Sequence, residues 1–337
     1  MDLIEEVGRL YDYNNIPTPK HGKFTSPEPL TDWEQLMSQA KETAKGMGFR
    51  EIYSNSLMPE QDAELLGDLD EMIHTLNPIS EEMTTLRPSL LYGFLKSVGY
   101  NFNRKVKQVR FFEIGNVFEK SDNGTYYSNI NEETNILFGL AGFKTIEHWK
   151  TDPEHYDVFD LKGPVRSFLE KFDLYRHLTF EITGDNTLVY SFDGAEIGRI
   201  HEVSKDLLQH YDIELPAFVA ELSLSQLLNA RKKINAPNYE PVSKFPAFDF
   251  DFAVIVDTSV RAGDLLKTIE NTAGEKLQNL DVFDVFEGES LGENKKSLAF
   301  RLSFLDKNKT LTIKDVEPII KKVLNVLDDK YSAKLRS

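Results

Sequence analysis

The sequence predicts an α+β protein: a mixed domain on an antiparallel sheet, followed by a ferredoxin-like βαββαβ domain. Three observations predict it. Residues 238–337 run through strand, helix, strand, strand, helix and strand in clean periodicities. The longer stretch before them shows successive strand patterns with helices grouped rather than strictly alternating, which favours an antiparallel sheet over a doubly wound one. Two proline-bearing linkers punctuate the chain, one over 14–29 with Pro17, Pro19, Pro27 and Pro29, the other over 231–246 with Pro237, Pro241 and Pro246.

The elements follow from local chemistry. Thr31-Asp-Trp-Glu34 is a capping-box pattern opening a helix whose Trp33, Leu36, Met37, Ala40 and Met47 form one stripe, ended by Gly46 and Gly48. A strand over Glu51–Met58 and a helix over Ser89–Val98 come next. Strands or hairpins are expected over Val109–Phe118, Asn135–Phe143, Val189–His201 and Ala217–Leu222. In the last domain Phe250, Phe252, Val254 and Val256 alternate with polar neighbours. Ala262, Leu265, Leu266 and Ile269 give a helix that closes near Gly274. Strands over Leu280–Phe286 and Ser297–Leu305 flank a loop with Gly288 and Gly292. Val316, Ile319, Ile320, Val323, Leu324 and Leu327 give the second helix, with Pro318 expected in its first turn, where backbone donors lack partners. A short strand over Ala333–Arg336 completes the pattern.

Composition excludes several chemistries. At 337 residues the prior is about two domains, and 40% hydrophobic content with 23 Phe and 13 Tyr supplies packed cores. With no Cys there are no disulfides, thiolate metal sites or cysteine nucleophiles. No apolar run reaches the roughly 20 residues that span a bilayer, and no basic-then-apolar start signals secretion, so a cytoplasmic location is expected. Residues 238–337 hold 15 Lys+Arg against 17 Asp+Glu, a net of −2, which leaves −14 of the total −16 upstream. That acidity argues against blanket nucleic-acid binding, though not against a local patch, because screening acts over about 8 Å. Phosphate-loop and G-x-S-x-G motifs are both missing.

Five blocks in collinear order carry a family resemblance: "IEEVGRLYDYNNIP", "LRPSLLYGFLKSVGYNFNRKVKQVRFFEIGNVFE", "YDVFDLKGPV", "GAEIGRIH", and "KFPAF…FDVFEG…KKSLAFRLSF" with terminal "AKLR". Together they resemble the C-terminal half of the β subunit of bacterial phenylalanyl-tRNA synthetase. The resemblance implies three pieces: the end of a winged-helix-like module over 1–18, a class II synthetase-like core without catalytic function over 19–236, and a ferredoxin-fold anticodon-binding domain over 237–337. It also implies a piece of a longer protein, because the family's N-terminal RNA-binding and editing modules have no counterpart here. A class II core activates amino acids with a strand-borne Arg and Glu and a glycine-rich segment ending in Glu-Arg. Arg110 and Glu113 match the first feature only superficially, and are expected to pair structurally within a hairpin. The second feature does not occur in the sequence, so charge developing during adenylate formation would go unstabilised.

Two sets of site residues are expected. Asp2, Glu5 and Glu6 share a face if helical and could ligate a hard cation, though acids near a helix N-terminus also simply suit its dipole. The resemblance implies magnesium at this place, at the contact with the α subunit, with one further Asp lying upstream and hence weak affinity in this chain. For tRNA, Lys295, Lys296, Arg301, Lys307, Lys309, Lys334 and Arg336 supply cations for phosphate. Phe283 and Phe286 are candidate stacking rings, but strand alternation predicts that they cannot both be exposed. The family's Arg-Arg-Asp after the "FP-x-x" turn is reduced here to Phe248-Asp-Phe-Asp251, which keeps only the last Asp and puts that strand's contact in doubt. His148 and His155 beside acidic residues are read as ordinary surface histidines, and Trp149 as a core residue.

What the resemblance implies is a non-catalytic region of phenylalanine–tRNA ligase, an α2β2 enzyme that charges phenylalanine tRNA with ATP and magnesium in the cytoplasm. The chain would supply surface to the α subunit and bind the anticodon side of tRNA, and would be inactive alone. The alternative is a ferredoxin-like regulatory module that senses amino acids without binding RNA.

Overall fold

The computed structural model describes residues 2–18, 28–121, 129–145, 148–184, 186–234, 241–288 and 291–336; Pro19, Pro27 and Pro237 of the linkers lie outside the described residues. Two compact units divide the chain at Ala236 and Pro237.

Unit 1 contains α1 (Asp2–Tyr11), α2 (Asp32–Gly46), β1 (Arg50–Glu51), β2 (Leu57–Met58), α3 (Glu60–Ala63), β3 (Thr85–Leu86), α4 (Leu91–Phe102), β4 (Gln108–Lys120) and β5 (Ile130–Gly142). It continues with α5 (Val158–Lys171), β6 (Thr179–Thr183), β7 (Thr187–Phe192), β8 (Ala195–Glu202), α6 (Lys205–His210), β9 (Ala217–Ser223) and α7 (Leu224–Lys233). Seven strands form one sheet in the order β1-β4-β5-β9-β8-β7-β6. All its pairings are antiparallel except β1 with β4.

Alternation along β4 builds two cores. Phe112 and Ile114 face α2, α5 and α7, while Val109, Phe111 and Val117 face α4. The α2 start carries the expected capping box, with Thr31 and Glu34 exchanging side-chain and backbone bonds. On the α4 side the helix lies very close to the sheet. A Cβ on Gly139 of β5 would come within 2.2 Å of the Phe94 ring, and one on Gly115 of β4 within 2.2 Å of the Arg87 guanidinium. Those glycines let large side chains fill this face of the sheet.

The structure corrects several local expectations. The strand expected over Glu51–Met58 breaks after β1, because Ser54 turns its N–H and hydroxyl to Glu113 instead of to a neighbouring strand. Trp149 is 89% exposed, on a segment turned by a His148–Thr151 bridge that holds the ring outside both cores. Strand β6 and helices α5, α6 and α7 were not anticipated as elements.

Unit 2 comprises β10 (Phe248–Asp257), α8 (Ala262–Ala273), β11 (Leu277–Glu287), β12 (Lys295–Phe304), α9 (Ile313–Tyr331) and β13 (Lys334–Leu335). Its sheet order β11-β12-β10-β13 is the ferredoxin-like layout. Phe252, Val254, Val256, Leu298, Phe300, Leu302 and Phe304 pack against α8 and α9. Gly274 closes α8 at φ 75° and ψ −166°, a positive-φ conformation open to glycine but outside the left-handed helical cap expected there. Pro318 sits inside α9 rather than in its first turn, because the Thr312–Asp315 capping box starts the helix earlier than its apolar stripe suggests. No helix of the described residues is long and apolar enough to cross a membrane.

Close packing of α4 gives a direct test. Gly139→Ala should cost about 1–3 kcal/mol through overpacking and Phe94→Ala about 3–5 kcal/mol through a cavity. In urea unfolding the double variant should fall short of the summed losses, since removing the ring makes room for the methyl.

Candidate nucleic-acid interface and the filled core

Helices α8 and α9 cover one face of the unit 2 sheet, so the other face is left to residues that alternate away from the core. In register on this face stand Asp251 with Arg301, Asp249 with Ser303, Ile255 with Ser297 and Asp257 with Lys295. Strand β11 contributes Asp281 opposite Arg301 and Phe286 opposite Ser297. The two pairings differ in phase because an extra residue, Phe283, interrupts the ladder between Val282 and Asp284.

That bulge overturns the expectation about the two phenylalanines. An unbroken strand would turn residues three apart to opposite faces, but one inserted residue restores them to the same side. Phe283 is 51% exposed and Phe286 38%. Each ring carries a cation: Arg301 lies 5.0 Å from the Phe283 centroid, and Arg336 lies 4.9 Å from that of Phe286. Nothing in residue types alone places the bulge.

The seven candidate cations do not form one patch. Arg301 is held by Asp251 through two bonds of 2.9 and 2.6 Å, which lower the Asp251 pKa and raise that of Arg301. Arg336 donates to Ser297 at 3.2 Å. Lys334, paired in register with Ile255, and Lys295 stand at the same end of the sheet. Lys296 alternates to the helix-covered side and donates to the Thr258 carbonyl at 2.8 Å. Lys307 and Lys309 lie beyond the opposite end of β12, on the order of 30 Å away at about 3.3 Å per residue. Lys309 binds Asp315 at the start of α9 and, with Thr312, holds that carboxyl well below the usual range. Asp249, Asp251 and Asp281 surround Arg301, so the end carrying Lys295, Lys334 and Arg336 is the more cationic.

In unit 1 the expected Arg110–Glu113 pairing does not form. Residues three apart on a regular strand face opposite sides of the sheet. Arg110 donates to the Met47 carbonyl at 2.9 Å and stacks over Phe49 at 4.8 Å. Glu113 instead accepts from buried Arg87 at 2.8 Å and from Ser54. Arg87 also reaches Ser54 at 2.8 Å and the Asn116 carbonyl at 2.9 Å. Across the sheet Glu221 receives Ser89, the Leu90 N–H and Asn135, and burial pushes its carboxyl up. Arg87, Glu113, Ser54 and Glu221 are answered within these two clusters, Arg110 Nε and Asn135 Oδ1 keep no hydrogen-bond partner, and Phe94 occupies the adjoining space against Gly139. Arg87 and Glu221 escaped the sequence reading; the "LRPSLL" block was the only trace of the first.

Asp2, Glu5 and Glu6 sit on exposed α1. Glu6 is engaged by Arg9 at 2.5 Å, and among the described residues no three His, Cys, Asp or Glu side chains converge as a metal site. Asp2, Glu5 and Glu6 thus form no three-ligand cluster among the described residues. His155 stacks on Phe143, and His148 lies beside Trp149.

A helix-flanked antiparallel sheet followed along the chain by a ferredoxin-like module with an aromatic, cation-bearing open face defines a two-unit α+β protein. Residues 16–224 match the model described as phenylalanyl tRNA synthetase beta chain CLM domain, and residues 243–336 match the ferredoxin-fold anticodon binding domain. The phenylalanine–tRNA ligase beta subunit of Salinibacter ruber is 34% identical over 99% of this chain and 42% of its own length. That of Staphylococcus haemolyticus is 36% identical over 97% of this chain and 41% of its own. The chain belongs to the phenylalanyl-tRNA synthetase beta chain family, and it spans about two fifths of the length of these relatives.

Two measurements probe the filled core. Arg87→Met strands Glu113 as a buried unpaired charge and should cost about 3–5 kcal/mol in urea unfolding, part of it recovered by adding Glu113→Gln. For Glu221 the folded pKa is raised, so its contribution is complete at acid pH and is lost as pH climbs above the ordinary glutamate range. The stability of Glu221→Gln relative to the parent should therefore improve between about pH 4.5 and 7.

Proposed function

We propose that this chain is the non-catalytic beta-subunit region of a phenylalanine–tRNA ligase, which docks a catalytic α subunit and binds the anticodon side of phenylalanine tRNA. The division into 1–18, 19–236 and 237–337 is part of that reading, as are an α2β2 assembly and a cytoplasmic location. The observation that carries it is the open unit 2 face, where Phe283 and Phe286 each present a ring beside an arginine. Single-stranded RNA takes such a surface through base stacking and phosphate contact. A filled unit 1 core supports the non-catalytic role: Arg110 and Glu113, the two residues matching an activating pair, are already bound within the fold.

Among the candidate contacts, the charge layout supports a stronger role for the Lys334–Arg336 end. Arg301 must break or share its bond to Asp251 before it reaches a phosphate, whereas Lys334 stands on an exposed edge strand. Titrating the chain with phenylalanine tRNA at rising salt should show that Lys334→Ala/Arg336→Ala weakens binding more than Arg301→Ala. The double variant should also flatten the salt slope by about 1.4 to 1.8, for two lost phosphate contacts. Equal effects of both sets would refute the assignment. Pyrophosphate exchange by the purified chain should stay at background and rise only when a catalytic α subunit co-purifies with it.

A further inference from the structure

The chain carries a net charge of −16, yet residues 83–112 contain six cations, Arg87, Lys96, Arg104, Lys105, Lys107 and Arg110, and not one Asp or Glu. Structure sorts them. Arg87 and Arg110 are bound within the core, and Lys107 lies over Phe102 and 3.7 Å from Glu214. Lys96 remains exposed at the middle of α4, and Arg104 and Lys105 just beyond its end.

They stand on an ordered ridge. Tyr92, Lys96 and Tyr100 follow one another every four residues on one face of α4, and Arg104, in the turn just past its end, continues the row. Lys96 lies 5.5 Å from the Tyr92 centroid and bonds its hydroxyl at 3.1 Å, while Arg104 stacks 3.4 Å from the Tyr100 centroid. Tyr92 is buried, but Tyr100 is 59% exposed. Beside the ridge opens a cleft of about 270 Å³, lined by Ile52, Lys96, Ser97, Tyr100, Asn101 and Phe111. Arg50 is the register partner of Phe111 in a parallel pair, so it adds an exposed cation on the same side of the sheet edge. The carboxylates acting on Lys96 are Glu82 and Asp62, and Asp62 is already occupied by Tyr211 and His210.

We propose that this ridge is a second binding site for single-stranded RNA, in unit 1 and separate from the open sheet of unit 2. A base would stack at Tyr100 over the apolar floor of Ile52 and Phe111, with phosphates taken by Arg50, Lys96, Arg104 and Lys105. An acidic protein segment would use the cations but leave the exposed ring and the apolar floor without a planar partner. RNA satisfies both, since every base offers a stacking face and every linkage a negative charge.

The test uses the full chain and a fluorescein-labelled single-stranded RNA of mixed sequence, about twelve nucleotides long, read by anisotropy between about 50 and 200 mM KCl. Tyr100→Ser should weaken binding about 5- to 100-fold, the range of one lost stacking contact. Arg104→Ala/Lys105→Ala should lower the salt slope by about 1.4, for two lost phosphate contacts on a single strand. Both effects should persist in a Lys334→Ala/Arg336→Ala background. If those unit 2 substitutions change nothing while the ridge variants do, the anticodon-face reading fails and the ridge stands. The ridge is overturned if the parent chain binds no oligonucleotide at about 50 mM KCl. It is equally overturned if folded ridge variants, checked by circular dichroism, keep both affinity and slope. Loss of a protein partner with RNA affinity unchanged would reassign the surface to protein docking and also refute the proposal.

Discussion

The Arg87–Glu113 ion pair is the constraint on which unit 1 depends. Both side chains are almost wholly buried, and removing two charges from water is costly unless every remaining polar atom is answered. Here they are answered by Ser54, which supplies an N–H and a hydroxyl, and by the Asn116 carbonyl. The pair therefore joins three segments distant in sequence: the chain leaving β1, the chain leaving β3, and the middle of β4. It also sets how α4 can lie. A Cβ on Gly93 would meet the Ser54 hydroxyl at 2.0 Å, so the helix touches this network through its glycine. Once α4 is seated there, Phe94 comes to rest on Gly139 and the sheet face is full.

That filling engages most polar groups of this face within unit 1 itself. A catalytic sheet must keep charged groups unsatisfied until substrate arrives, because stabilisation of a transition state comes from donors aimed at charge that has yet to develop. In unit 1 the strand-borne Arg and Glu are spent on Met47 and Phe49 in one direction and on Arg87 and Ser54 in the other. Unit 2 follows the opposite rule. Its helices cover one face, and the other keeps rings and cations available at the surface.

Much of this was legible in the sequence, for reasons that differ by element. The ferredoxin-like order emerged because half-buried strands and amphipathic helices advertise themselves through periods of two and 3.6. The α2 start was legible because Thr31 and Glu34 act on each other locally. What escaped depends on contacts across space. The Glu113 partner could not be read from its neighbours, since Arg87 lies on another segment and the nearby Arg110 faces the opposite side. The bulge at Phe283 escaped because one inserted residue shifts strand phase without altering composition. Pro318 was misplaced by counting from the apolar stripe, when the cap at Thr312 begins the helix. Trp149 was assigned to the core on residue type, and the turn that carries it outward is set by backbone bonds between His148 and Thr151.

Net charge, finally, acts at a different range from the contacts. An acidity of −16 opposes polyanions at long distance, but screening over about 8 Å confines that opposition to low salt or close approach. Within that range the local layout decides. On unit 2 the carboxylates of Asp249 and Asp251 stand among the strand residues beside Arg301, which biases any phosphate toward the Lys334–Arg336 end. A surface of this kind, acidic except where cations sit beside exposed rings, gains little from indiscriminate attraction. On the proposed reading, binding would rest on simultaneous stacking and phosphate contact, which a strand offering both at the right spacing would satisfy.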